Sequence, residues 1–159
     1  MYGVSRTDRL LLWAVVAAGL LGIAISCYLT LVHYSGAPLA CRASGAVDCA
    51  RVVGSGYGTI LGSGVPTAAA GVLWFAGSIA LAAVRLRVPG SPWAWRLQIA
   101  WCLAGLLVVV SLVFIEVVRL GSICLWCSGA HALVLCTFVL SALVPAQTAG
   151  LGRPQPSRS

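Results

Sequence analysis

The chain is expected to be an all-α membrane protein: a bundle of four transmembrane helices with a long external loop that contains a short helix. Three observations lead there. Hydrophobic residues make up 60% of the 159 residues and charged ones only 8%, a balance foreign to a water-soluble globule of this length. The apolar residues gather into four runs, each long enough, at about 1.5 Å per residue, to cross a ~30 Å hydrocarbon core. The few charges fall mostly between those runs, where topology signals belong.

The runs cover about 10–34, 65–84, 97–120 and 123–146. Lipid offers no partner to a free backbone N–H or C=O, so each run is expected to be helical. Internal glycines are tolerated because small residues let helices approach closely. Gly19 and Gly22 lack full G-x-x-x-G spacing, so no dimer face is assigned to them. A cleaved signal peptide does not fit the first run, which is too long and has no A-x-A site after it. Residues 1–9 form a cytoplasmic N-terminus. Residues 147–159, rich in Gly, Pro and Ser, are expected to be a disordered cytoplasmic tail.

The net charge of +7 comes from arginine, since the chain has no lysine. A nucleic-acid binder would cluster its basic residues on one exposed element; here they sit at segment ends, so no nucleic-acid partner is expected. Arg6, Arg9, Arg85, Arg87, Arg96, Arg153 and Arg158 fall on one side, Arg42, Arg51 and Arg119 on the other. The positive-inside rule then puts both termini in the cytoplasm, and residues 35–64 and the turn at Gly121–Ser122 outside.

Four of the seven cysteines therefore meet at the external face. Cys124 and Cys127 form a Cys-Leu-Trp-Cys motif at the start of the last run. One helical turn brings such thiols to about 5–6 Å, close enough to cycle between dithiol and disulfide. Cys41 and Cys49 lie in the loop and form a second pair able to relay electrons. A purely structural loop disulfide and an accidental apolar C-x-x-C are the plain alternatives. A four-cysteine zinc site is disfavoured by the loose Cys41–Cys49 spacing, so no metal is expected. Cys27, Cys102 and Cys136 lie inside the runs as packing residues.

The loop is long for a compact domain and too apolar for disorder. Asp48 is placed to cap a short helix through about Val53. Gly54, Gly56 and Gly58 would end it and act as hinges, letting Cys49 approach Cys124 and withdraw.

A cysteine at a helix N-terminus has its pKa lowered by unsatisfied N–H groups. Cys124 is nearer that end; Cys127 lies one turn deeper, toward a lipid-soluble acceptor. Two electrons leaving a dithiol match the two-electron reduction of a quinone, and no dinucleotide or phosphate-loop fingerprint is present, so no nucleotide is expected. His131 sits one turn beyond Cys127 on the same face, suited either to a quinone carbonyl or to plain packing. Glu116 is the only acid inside a run, and an ion pair with Arg119 is expected. Trp74 and Trp126 are candidates for lining a quinone pocket, although tryptophan also marks membrane interfaces, as expected of Trp93 and Trp95. His33 is expected at the outer interface.

The order of features is loop Cys41, Cys49, Ser55 six positions later, Gly64-Val65-Pro66 leading into the second run, and the C-x-x-C opening the fourth. This order, from about Leu10 to Ala146, resembles the vitamin K epoxide reductase family, in particular its bacterial homologues without a fused thioredoxin-like domain. The resemblance implies a four-helix bundle in the bacterial cytoplasmic membrane enclosing a quinone, of menaquinone or ubiquinone type, near the outer surface. It implies that Cys127 contacts the quinone, that Cys124 forms a transient disulfide with Cys49, and that Cys41 closes a disulfide with Cys49. Cys41 would take electrons from a separate thioredoxin-like, DsbA-type partner. Ser55 matches a family serine near the active cysteines. Where the animal enzymes have an asparagine and a tyrosine, Thr67 and His131 stand here, which argues against vitamin K epoxide and leaves a quinone. The expected quinone-binding residues are Ser55, Thr67, Trp74, Trp126 and His131.

The implied activity is oxidation of thiols at the expense of quinone, supporting disulfide formation in exported proteins. The alternative within enzymes is reduction of a quinone or its epoxide with thiols as donor. The DsbB type of thiol oxidase carries its C-x-x-C in the first external loop, unlike this chain. A transporter or non-enzymatic subunit would show polar residues along several spans or a repeat between halves, and neither is visible.

Overall fold

The computed structural model describes residues 5–41 and 44–144. The tail expected over 147–159, with Arg153 and Arg158, lies outside the described residues, as does Arg42. Helices α1 (Arg6–Ser35), α3 (Thr67–Arg87), α4 (Pro92–Phe114, continued by a π-helical turn Ile115–Leu120) and α5 (Leu125–Leu143) are long and apolar enough to span a bilayer. The short α2 (Cys49–Val53) lies in the loop between α1 and α3. The protein is a multi-pass, all-helical membrane bundle, with no strand among the described residues.

Local signals set the helix ends. Ser5 caps α1 by accepting the Asp8 N–H at 3.0 Å, and Gly36, at φ 65°, ends it in a left-handed turn closed onto Val32 O. Pro92 opens α4 as the first helical residue, where a missing N–H costs nothing. Capping therefore extends the first and third helices toward the N-terminus beyond their apolar runs, by a few residues each.

The four long helices run up and down in chain order around a ring, each packed against its two neighbours. Between α1 and α3, small residues make the contact. A Cβ on Gly19 would come within 2.6 Å of Ile79, one on Gly22 would strike the Phe75 ring, and one on Gly71 would meet Ser26 Oγ at 2.8 Å. The glycines that form no dimer motif thus seat side chains inside the bundle. Between α3 and α4 two tryptophans exchange bonds. Trp74 Nε1 donates to Trp101 O at 3.2 Å and Trp101 Nε1 donates to Trp74 O at 3.1 Å. Gly105 makes room for the first indole and Gly77 for the second.

At the end of the bundle away from the loop, Arg85 is buried. Its guanidinium donates to Gln98 Oε1 at 3.3 Å, to Ser141 O at 3.2 Å and to Val144 O, the C-cap of α5. Gln98 Nε2 donates in turn to Ser141 Oγ at 3.0 Å. One cation ties α3, α4 and the carbonyl end of α5 together.

Candidate active site

Asp48 caps α2, its Oδ1 accepting the Arg51 N–H at 3.0 Å. The loop is pinned across the bundle mouth by the turn between α4 and α5: Ile123 N–H donates to Ala46 O at 2.8 Å and Asp48 N–H to Ile123 O at 3.1 Å. That pairing sets the start of α2 against the start of α5. Cys49, Val52 and Cys124 form one buried cluster, with Cys41, Trp126 and Cys127 packed around it.

Cys41 and Cys49 are joined as a disulfide, with Cα atoms 6.1 Å apart. Cys124 and Cys127 are free thiols. Cys124 is itself the N-cap of α5: its sulfur accepts the Cys127 N–H at 3.2 Å and the Cys127 thiol at 2.7 Å. Hydrogen bonding from the Cys127 thiol holds the Cys124 pKa below its ordinary value, against the opposing pull of burial and of Glu116. The Cys124 thiolate is therefore populated at lower pH than a free thiol. Thiolate ultraviolet absorbance, with a Cys124→Ala spectrum subtracted, is expected to titrate below the usual thiol range, and Cys127→Ala to move it upward.

Beneath the cysteines lies a cavity of about 400 Å³, within the usual size for a small-molecule site. Cys127 lines it; Cys124 does not. Ser55, Thr67, Trp74 and His131 line it too, together with Trp101 and Glu116. The roof comes from the loop: Val52, Val53, Tyr57 and Gly58. The walls are otherwise almost wholly apolar. Two lining residues, Leu73 and Val108, are 73% and 54% exposed, so the cavity reaches the lipid-facing surface between α3 and α4.

The structure alters three sequence-based expectations. Trp126 is not a cavity residue. Its indole packs on the Tyr28 ring, with centroids 4.8 Å apart, and Nε1 donates to Ala40 O at 3.2 Å. Ala40 N–H donates to the Tyr28 hydroxyl at 3.0 Å, so both aromatics grip the residue just before Cys41. Nor does Glu116 pair with Arg119. The π-helical turn breaks the α-helical spacing, Arg119 is exposed, and no ion pair is present among the described residues. Glu116 Oε2 instead accepts the Cys124 N–H at 3.2 Å. Of the three loop glycines, finally, Gly54 and Gly58 are packing positions, while Gly56 has open space around it. A Cβ on Gly54 would lie 2.9 Å from Ala50 O, and one on Gly58 would collide with the Val53 carbonyl.

Polar side chains near the roof are committed to the loop. Ser55 Oγ donates to Val52 O at 2.8 Å and Thr67 Oγ1 to Gly58 O at 3.2 Å. Sequence reasoning missed Trp101, whose only signal was its place one run away from Trp74, and Tyr28, whose role depends on a contact twelve residues along the chain.

A model of the vitamin K epoxide reductase family matches residues 13–142, most of the chain. The chain belongs to that family. No curated protein matches it. Membership makes it a membrane oxidoreductase of a family whose members use quinones and act with thiol partners. Among the described residues, no cluster of His, Cys, Asp and Glu is arranged to hold a metal ion.

Proposed function

We propose that the protein oxidises an extracytoplasmic thioredoxin-like thiol protein of DsbA type and passes the electrons to a membrane quinone, in support of disulfide formation in exported proteins. The observation that carries this is the placing of the C-x-x-C: Cys124 packs against the loop disulfide while Cys127 lines the cavity. One pair of thiols touches both the donor side and the acceptor side.

Each transfer is a thiolate attack on a sulfur. Cys41 is partly exposed and Cys49 only 1% exposed, so a partner thiolate attacks Cys41. The Cys41–Cys49 bond breaks and the partner's second thiol resolves the mixed disulfide, leaving the partner oxidised. Cys49 then attacks Cys124 of an oxidised C-x-x-C, releasing Cys127. Cys41 attacks Cys49, re-forms the loop disulfide and frees Cys124. The closed Cys41–Cys49 bond and the free Cys124 and Cys127 correspond to this stage. Re-forming the Cys124–Cys127 bond gives up two electrons and two protons at the cavity wall. A quinone held there supplies the two-electron, two-proton acceptor.

The residues present suit such a ligand. The cavity is apolar, flanked by two indoles, and open to lipid between α3 and α4, while His131, Glu116 and the roof phenol Tyr57 are its titratable groups besides Cys127. The arginine distribution supports placing the cysteines outside and both termini in the cytoplasm.

In a Cys41→Ala, Cys127→Ala double variant, the remaining partners are expected to accumulate as a Cys49–Cys124 disulfide. Peptide mass spectrometry reads this directly, and absence of that link under oxidising conditions would contradict the relay order. Gly58→Ala is expected to push the roof off Val53 and raise the KM for quinone several-fold, with the pace of thiol exchange at Cys41 unchanged.

A further inference from the structure

We infer that Glu116 carries protons between the Cys124–Cys127 pair and the cavity, a role that rests on the quinone-reducing function proposed above. Three features converge on this side chain. It is 6% exposed within a span, without an ion-pair partner among the described residues. Its Oε2 accepts the backbone N–H of Cys124, and the same residue lines the cavity beside Cys127. It sits in a π-helical turn whose closure is fixed by Gly121 N–H and Ser122 N–H, both bonded to Glu116 O. Such turns and intramembrane acids both concentrate at functional sites.

The chemistry needs a carrier. When the Cys124–Cys127 bond forms, two electrons and two protons leave the thiols, and reduction of a quinone takes up both. With the loop closed by the Cys41–Cys49 disulfide, Cys124 is 0% exposed and Cys49 1%, so bulk water does not reach the Cys124 sulfur from the loop side. As carboxylate, Glu116 accepts a proton released by the pair. As carboxylic acid, it gives that proton to the acceptor's oxygen and returns to its starting state. Around it, Cys127 and His131 share the cavity from α5, and Tyr57 shares it from the loop roof. From α2, Cys49 is held in a disulfide and Arg51 is exposed, while Asp48 is engaged as the α2 cap. On its own turn, Arg119 is exposed.

A carboxylate that merely caps α5 would be replaced without loss by glutamine, which keeps the oxygen acceptor for Cys124 N–H. The test is Glu116→Gln in the full chain, reconstituted in vesicles with a dithiol and a short-tailed ubiquinone. Expected are a kcat reduced on the order of 10²-fold, an unchanged quinone KM, a flattened pH–rate profile, and partial recovery in Glu116→Asp. A glutamine variant with the parent kcat and pH profile would overturn the inference. A parent protein that reduces no quinone would overturn the underlying function instead. Glu116 is the chain's only glutamate, so labelled glutamate marks a single carboxyl for infrared difference spectroscopy of the unmutated protein. A labelled carboxyl band that changes with the redox state of the C-x-x-C is expected, and an invariant one would also overturn the inference.

Discussion

Cys127→Ala is expected to reduce quinone turnover to background with every thiol donor, whereas Cys41→Ala spares turnover with a small dithiol that reaches the C-x-x-C directly. The difference arises from where the two sulfurs sit. Cys127 is the cysteine on the cavity wall, and without it no disulfide can close beside the acceptor. Cys124 alone is capped beneath the loop, at 0% exposure, and has no second sulfur with which to give up two electrons. Cys41 stands on the far side of the relay, bonded to Cys49. Its loss removes the docking sulfur for a protein thiol and leaves Cys124 and Cys127 intact. A protein donor should therefore fail with Cys41→Ala while a small dithiol succeeds. Steady-state quinone reduction with the two donors checks this, and equal loss in both variants would sink the order of transfer.

The second large effect lies at the opposite end of the molecule. Arg85→Met is expected to lower stability by about 2–4 kcal/mol, since it strips partners from buried carbonyl groups that lipid cannot satisfy. Ser141 O and Val144 O, at the end of α5, and Gln98 Oε1 all take bonds from this guanidinium. Relief of the cation's own burial offsets part of the loss. Lysine cannot span three acceptors in the same fork, so Arg85→Lys should fall between the two. Thermal unfolding in detergent measures the effect. Quinone KM should be unchanged in whatever fraction remains folded, because Arg85 does not line the cavity.

What the sequence made legible, and what it hid, follows from the range of each interaction. The four spans were legible because lipid leaves an apolar run no choice but helix. The short loop helix was legible from Asp48, whose cap bond reaches only to Arg51. Trp126 was misassigned because its place inside the C-x-x-C says nothing about Tyr28 and Ala40, which fold against it from the other end of the chain. An ion pair between Glu116 and Arg119 follows from α-helical spacing, and the π turn removes that premise. Arg85 counted only as one of the charges that mark the cytoplasmic side, yet its burial depends on Gln98 and Ser141 from two other helices. The pairing of Ala46 and Asp48 with Ile123, which brings the cysteine pairs together, is equally non-local.

The central claim is that thiol electrons leave this protein through the C-x-x-C to a quinone. Its most direct test is quinone reduction by the purified protein supplied with a dithiol, beside a Cys124→Ala, Cys127→Ala double variant. Thiol-dependent reduction that disappears in the double variant is the expected result. Reduction that survives loss of both cysteines, or none with any of several quinones in a demonstrably folded protein, would contradict it.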